Sequence, residues 1–424
     1  MLFYLLYWLI APILWILLIP ASLFNSKIRH HLLNESRTLQ FSKEKIQKNI
    51  NEKIVVHFHA SSMGEFEQLQ PILKKMDRNK FFILLSFFSS TGYKHEKDTQ
   101  LADTVCYHPF DFIWSAWFFF KKMNINYYIT TRNDIWPNHL FVAKKLGIHS
   151  IIINANLYRE SHYKSFFLKY IYKNIFDQFD MILTGSERLK RNLMNLVSEE
   201  KIHVTGDSRI DRILERKKRA QKELLPNSYE KSRTIILGSI EKTDYEILFS
   251  AFEKYYPNGQ ATLESKNHQL IIVPHEIDLK NLNIIYSKLN KLGFEATFFD
   301  DKANLIKSRV VIINVVGILA DLYRYSDLAY IGAGFNAGVH SVLEPAVYAN
   351  AISFGPRYHI VDTAINLVDL KLAKVINSRD DFTLFLDLLD DEDDLSTIKK
   401  NMAKYIKEQK VASYNIINKI FYNE

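Results

Sequence analysis

Short apolar runs alternating with helix-like patterns set the rhythm of this chain. Ile54–Phe58, Phe81–Phe88, Tyr127–Thr131, Ser150–Asn154 and Met181–Thr184 are mostly apolar over their whole length, as strands buried on both faces of a parallel sheet should be. The rhythm breaks at Ile210–Arg233, where Lys217-Lys218-Arg219 is followed by Pro226-Asn227-Ser228, and this charged stretch reads as a crossing between domains. It then restarts with strand patterns at Thr234–Leu237, Leu270–Val273, Val310–Ile313, Leu328–Ile331 and Ala351–Phe354. Helical patterns intervene at Glu241–Tyr256, Asp278–Leu292, Leu319–Tyr325 and Ser341–Ala349. Two successive α/β halves predict two doubly wound, Rossmann-like domains facing a cleft. The final stretch from Asp391 reads as helical and is expected to pack back toward the N-terminal domain.

The amino-terminal segment obeys a different pattern. Leu2 to Phe24 carries no charged side chain, and as a helix it extends roughly 34 Å, enough for the hydrocarbon core of a bilayer. Lys27, Arg29, Arg37, Lys43 and Lys45 follow, and no charge precedes it, so the positive-inside rule puts the rest of the chain in the cytoplasm. A cleaved signal is the competing reading, since Pro20-Ala21-Ser22 resembles a processing site, but a signal carries a basic residue before its apolar region. Pro12 and Pro20 can kink the segment or leave it in the interface, so it reads as an anchor whether or not it spans. The expected division is an anchor over 1–26, an N-terminal domain over 27–215, a linker over 216–232, a C-terminal domain over 233–390 and a C-terminal helix over 391–424.

Composition narrows the function. The one cysteine, Cys106, excludes internal disulfides and thiolate metal clusters. A net charge of +8 favours an anionic partner. The basic residues are dispersed and no nucleic-acid-binding motif is present, so anionic lipids of the membrane and phosphorylated ligands are preferred over nucleic acid.

Glu65 is the most informative single residue. It ends Ala60-Ser61-Ser62-Met63-Gly64-Glu65 between a strand pattern and a helix pattern, where open α/β sheets place their chemistry. A small-residue turn with Gly64 is expected to let the backbone bend there. Ser62-x-x-Glu65 equally fits a capping box, which needs no function. In the second half, Gly238-Ser239 precedes a helix expected near Glu241, whose start suits a phosphate or is an ordinary turn. Pro274-His275-Glu276 closes the next strand at the same edge. In Gly332-Ala333-Gly334-Phe335-Asn336-Ala337-Gly338, three glycines are expected to leave room for a ligand, and Glu344 to face the same cavity one helical turn beyond His340. A carboxylate there could accept both hydroxyls of a ribose. Half of a dinucleotide fingerprint is present at Gly332-x-Gly334, but its third position and its place late in the chain do not fit. Phe354-Gly355-Pro356-Arg357 brings a cation to that edge.

The anchor, HASSMGEFEQLQPIL, DIWPN (134–138), TGDSRID (205–211), LGSIE (237–241), IIVPHE (271–276) and GAGFNAGVHSVLEPAVYANAISFGP (332–356) follow one another in an order that resembles the Kdo transferases of Gram-negative bacteria. The resemblance runs from the anchor to about Ile360, with SSMGE and HSVLEP its most specific parts. It implies a GT-B glycosyltransferase fold that moves 3-deoxy-D-manno-octulosonic acid (Kdo) from CMP-Kdo to the lipid A precursor at the cytoplasmic face of the inner membrane. No metal and no cofactor beyond the donor substrate are implied. Position by position, Glu65 matches the proton acceptor, and Arg209 takes the place of a Lys that offsets charge on the departing CMP. His275, Glu276, Val316, Gly317, Ile318, Ser341, Val342, Leu343 and Glu344 match the CMP-binding stretches, with backbone contacts expected at Val316 and Ile318.

Three departures stand out. Arg132-Asn133-Asp134 replaces the family's Glu-x-Glu, so Arg132 reverses a charge; whether it serves the donor's carboxylate or its phosphate stays open. His275 replaces an Arg, and Gly338-Val339-His340-Ser341 replaces a more common Gly-Gly-His-Asn. The implied reaction is a single displacement with inversion. A UDP-sugar transferase or epimerase of the same fold, and an anchored nucleotide-sugar-binding protein without turnover, are the rival readings.

Overall fold

The runs that are apolar throughout become the inner strands of two parallel sheets. The structure is a computed structural model describing residues 2–50, 52–157, 165–219, 223–409 and 411–422. The chain divides into one unit of Met1–Arg212 with Val411–Glu424 and another of Ile213–Lys410.

In the first unit the strands are β1 (Ile54–Ala60), β2 (Phe81–Phe87), β3 (Thr104–Tyr107), β4 (Tyr127–Thr131), β5 (His149–Ala155), β6 (Met181–Thr184) and β7 (Ile202–Val204). They lie in the order β3-β2-β1-β4-β5-β6-β7, and every pairing is parallel. Phe58 on β1 is flanked in register by Leu85 of β2 and Ile129 of β4, all fully buried. Each such side chain contributes about 1.5–3 kcal/mol of hydrophobic stabilisation. The order reverses between β1 and β4, a switch point of the kind where open sheets bind ligands beyond the strands' carboxyl ends.

In the second unit the strands are β8 (Arg233–Ile240), β9 (His268–Pro274), β10 (Ala296–Phe298), β11 (Val310–Ile312), β12 (Leu328–Ile331), β13 (Ala351–Phe354) and β14 (Ala373–Val375). Their order is β10-β11-β9-β8-β12-β13-β14, again all parallel, with the switch point between β8 and β12.

Leu2–Phe24 is one helix, and among the described residues it holds the one candidate membrane span, Tyr4–Phe24, with a mean hydropathy of 2.1. Trp8 donates to the Asn138 side chain at 2.7 Å and Tyr7 to Asp111 at 3.1 Å, while Leu9, Ile16 and Leu23 are exposed. Asn25 ends this helix and caps the next, Ser26–Asn49, by accepting from the Lys27 and Ile28 N–H groups. That second helix covers the edge strand β3: the Tyr107 N–H donates to Thr38 Oγ1 at 3.2 Å, and Ser42 pairs with Thr104 at 2.9 Å. An otherwise open edge is thereby closed.

The unit division falls inside the helix Ser208–Arg219, ahead of the charged stretch read as a linker. Of the C-terminal segment, Glu392–Glu408 counts with the second unit, and Ala412–Phe421 packs Ile416, Ile417 and Ile420 into the core of the first.

Candidate active site

Glu65 stands at the first switch point. It is the third residue of the helix Met63–Leu73, which Ser62 caps, directly after β1. The Ser62 N–H and Oγ both reach Glu65 Oε2, at 2.7 and 2.9 Å. The capping box is therefore real, and it occupies one carboxylate oxygen. Gly64 lies inside this helix and is exposed; a Cβ there would meet only Ser62 Oγ, at 3.8 Å. The expected sharp bend at Gly64 is not what the glycine does: it leaves the surface beside Glu65 bare.

Asp134, just beyond β4 on the other side of the switch, is the hub next to it. Ser61 Oγ donates to Asp134 Oδ1 at 2.6 Å and Trp136 Nε1 to the same oxygen at 2.7 Å, while His59 Nε2 lies 3.2 Å from Oδ2. Burial raises the Asp134 carboxyl to about 7; bonds from Ser61 and Trp136 oppose the rise, and the neighbouring Glu65 carboxylate adds to it. The serine pair 61–62 thus holds two carboxylates, one on each hydroxyl.

The two arginines expected to be catalytic, Arg132 and Arg209, both bear on a third carboxylate, Asp207. Arg209 Nε reaches Asp207 Oδ2 at 2.8 Å and Oδ1 at 3.1 Å. Burial works to raise the Asp207 carboxyl, yet the Arg209 guanidinium, its hydrogen bonds and the charge of Arg132 hold it below the usual range. Arg132 has φ +61°, a region that strains any residue with a Cβ by about 1–3 kcal/mol. The turn carrying Arg209 is pinned: Ser208 Oγ donates to the Gln68 carbonyl on the Glu65 helix at 2.8 Å, and Asn154 Nδ2 donates to Ser208 Oγ at 2.7 Å.

At the second switch point several expectations need correction. The helix after β8 begins at Tyr245, not near Glu241. The Glu241 and Ala333 N–H groups donate to Asp244 Oδ2 at 2.7 and 3.2 Å, so these backbone donors are already spent on a buried carboxyl. The glycines serve internal packing: a Cβ on Gly332 would come 2.2 Å from the Ser239 carbonyl, and one on Gly334 would come 2.4 Å from the Gly355 nitrogen. The helix after the glycine-rich loop starts only at Leu343, so no helical turn links His340 to Glu344. These two residues fall in separate groups.

One group is His275, His340, Glu241 and Ser239. The imidazoles of His275 and His340 stack at 4.7 Å and 16°, Ser239 Oγ lies 2.9 Å from His275 Nδ1, and His340 Nε2 lies 3.7 Å from Glu241 Oε1. Burial and then the His275 charge lower the His340 pKa, while Glu241 works to raise it. Glu241, His275 and His340 each offer a ligand atom within 4.8 Å of the others, so the group can hold a cation or, once protonated, an anion. Arg357 joins the same loop by donating to the Asn336 carbonyl at 2.6 Å.

The other group surrounds Arg216, which sequence reasoning passed over as one of a run of charges. It donates to the Gly317 carbonyl at 3.1 Å and to Asp321 at 3.0 and 3.2 Å. Burial raises the Glu344 carboxyl, and the nearby Arg216 charge opposes that. Val316 is 83 % exposed, whereas Val342 and Leu343 are only 1 and 3 % exposed and can offer a ligand only backbone. Ser341, Gly317 and Glu276 are exposed and Ile318 half-buried.

A family model of 3-deoxy-D-manno-octulosonic-acid transferases (kdotransferases) matches residues 34–212, the stretch holding Glu65, Arg132 and Arg209. This stretch is thus similar to the kdotransferases. The 3-deoxy-D-manno-octulosonic acid transferase of Chlamydia muridarum is 26 % identical over 405 residues, covering 92 % of this chain and 88 % of the relative. That of Aquifex aeolicus is 28 % identical over 325 residues, with 76 and 81 % covered. A bifunctional glycosyltransferase/methyltransferase of Fusobacterium nucleatum is 23 % identical over 411 residues; 89 % of this chain matches 60 % of that longer relative. Among solved structures, Anabaena HepE in complex with UDP and glucose has a TM-score of 0.53 at 11 % identity, with 88 and 100 % covered. The UDP-GlcNAc 2-epimerase of Neisseria meningitidis has a TM-score of 0.51 at 12 % identity, with 87 and 100 % covered. These likenesses and the two parallel sheets make this chain GT-B-like in fold.

Proposed function

We propose that the chain is an inverting glycosyltransferase that moves Kdo from CMP-Kdo to the lipid A precursor (lipid IVA). It would do so from the cytoplasmic face of the inner membrane, held there by its apolar amino-terminal helix and attracted by anionic lipids. The observation that carries this reading is Glu65: a half-exposed carboxylate at the first switch point, with Oε2 held by Ser62, in the domain that matches the kdotransferase model.

Its other oxygen, Oε1, is the proton acceptor in this mechanism. As the acceptor hydroxyl forms its bond to the anomeric carbon of Kdo, its proton passes to Glu65 Oε1 and the bond to the CMP phosphate breaks on the opposite face. The bare surface at Gly64 admits the acceptor. Arg132 and Arg209, sharing Asp207, supply the positive charge that steadies the developing anion. In the second unit the stacked His275 and His340, with Arg357, face the CMP phosphate. Glu344 accepts from the ribose, while Glu276, Ser341, Gly317 and the backbone of Val316, Ile318, Val342 and Leu343 complete the donor contacts. No cofactor enters these steps.

Detergent-purified protein offered labelled CMP-Kdo or a labelled UDP sugar together with the lipid acceptor tests this. Label should enter the lipid from CMP-Kdo alone. Transfer from the UDP sugar would instead support the UDP-dependent rival, and binding of CMP without transfer a non-catalytic nucleotide-binding protein.

A further inference from the structure

Four imidazoles, those of His57, His59, His108 and His139, are fully buried in the core of the first unit. His57 and His59 occupy alternate positions of β1 and so face one side of the sheet. His108 follows β3, and His139 lies on the helix Pro137–Lys145. The ring centres of His59 and His108 are 3.9 Å apart, and those of His108 and His139 4.2 Å. His57, His59 and His108 each offer one nitrogen within 4.8 Å of the others.

Hydrogen bonds decide where the lone pairs lie. His108 Nδ1 faces the Pro109 carbonyl at 2.9 Å and must donate, which leaves Nε2 as an acceptor, 3.2 Å from the Tyr128 hydroxyl. His139 Nδ1 lies 2.9 Å from Asp111 Oδ1 and likewise donates; its Nε2 is buried without a hydrogen-bond partner. Ser86 Oγ sits between His57 Nε2 at 2.7 Å and His59 Nδ1 at 2.8 Å, and His57 Nδ1 is buried without a partner. Cores rarely leave such atoms unmet; a water or an ion answers them. The carboxylates on the outer side of two rings, Asp134 on His59 and Asp111 on His139, stand where outer partners of metal-bound imidazoles stand.

We propose that His57, His59 and His108, with His139 as fourth ligand, bind one divalent ion of the zinc class in the core of the first unit. An all-imidazole set suits zinc, cobalt or nickel over magnesium or calcium. Tetrahedral zinc with Zn–N of about 2.0–2.1 Å sets its nitrogens about 3.3 Å apart, so those of His57, His59 and His108, within 4.8 Å of one another, need close by no more than about 1.5 Å. This site is structural and adjoins the candidate active site through the contact of His59 with Asp134.

The test is the metal content of wild-type protein expressed with zinc and purified in detergent without chelator. About one zinc per chain is expected. Protein unfolded with chelator and refolded with Co²⁺ should show the visible absorption of tetrahedral cobalt and a higher Tm than protein refolded without metal. His108→Leu should lose the metal, and His340→Ala, in the other histidine group, should keep it. Wild-type protein that holds no such ion and takes up no cobalt on refolding would overturn the proposal and leave buried water as the partner of these nitrogens. Loss of the metal in His340→Ala would overturn it equally. Both readings stand even if His108→Leu fails to fold.

Discussion

At the first switch point the candidate site's side chains are held by other side chains, whereas at the second such contacts sit on backbone folded so closely that only glycine fits. Ser61 and Ser62 grip Asp134 and Glu65, and Asp207 grips Arg209. Around β8 and β12 there is instead the contact of Gly332 with Ser239 and of Gly334 with Gly355, fixed by the buried Asp244. Both points carry backbone strain at residues other than glycine: Arg132 in the first, Ser239 (φ +57°) and Ala333 (φ +69°) in the second. A side-chain scaffold keeps charged groups at defined distances. A backbone scaffold shapes a wall. The first suits proton transfer and charge, the second the recognition of a nucleotide.

Acid should separate the two most strongly. In the metal-free protein, burial holds His57, His59 and His108 far below the unfolded value of about 6.5, so the unfolded chain binds more protons and stability falls as pH drops below about 6.5. Asp134 alone in that core acts oppositely: raised to about 7, it takes up a proton on folding, and its contribution fades as pH rises from about 4 toward 7. In the second unit His268, lowered to about 4 chiefly by burial, and His340 act in the same sense as the three histidines, but they are fewer and less buried. Amide exchange at pH 7 and pH 5 should show β1 and β2 losing more protection than β8 and β9; equal losses would deny the contrast.

Next in size is Gly334→Ala. Its Cβ would press on the Gly355 backbone, at a cost of about 1–3 kcal/mol and with weakened CMP binding, read by thermal melting and calorimetry. Ser62→Ala should cost about 1 kcal/mol as a lost cap and slow transfer by loosening Glu65. Gly64→Ala is the smallest change and has the opposite sign. It should stabilise the helix by about 0.5–1 kcal/mol while slowing transfer, since the added methyl makes only an ordinary 3.8 Å contact with Ser62 Oγ and otherwise stands where the acceptor would lie.

Much of this was legible in the sequence because inner strands of parallel sheets must be apolar throughout. The four strands that escaped, Thr104–Tyr107, Ile202–Val204, Ala296–Phe298 and Ala373–Val375, are the four sheet edges. Each is only three or four residues long, too short to show a pattern. Glu65 was visible from its place between strand and helix. The hub role of Asp134 was not, because its partners Ser61, His59 and Trp136 converge only through the sheet order. The glycine-rich loop was located correctly but misread: spacing along the chain does not tell whether a glycine makes room for a ligand or for another strand's backbone. His57 and His59 did carry a signal, two imidazoles at alternate positions of an apolar strand, but the meeting with His108 and His139 depends on tertiary packing.

The central claim is that the Glu65 carboxylate accepts the proton in Kdo transfer, and the direct measurement is the transfer rate of Glu65→Gln beside its affinity for CMP. The account predicts a rate lower by about 10²–10⁴-fold with CMP binding unchanged. A variant that transfers Kdo at the wild-type rate would contradict it.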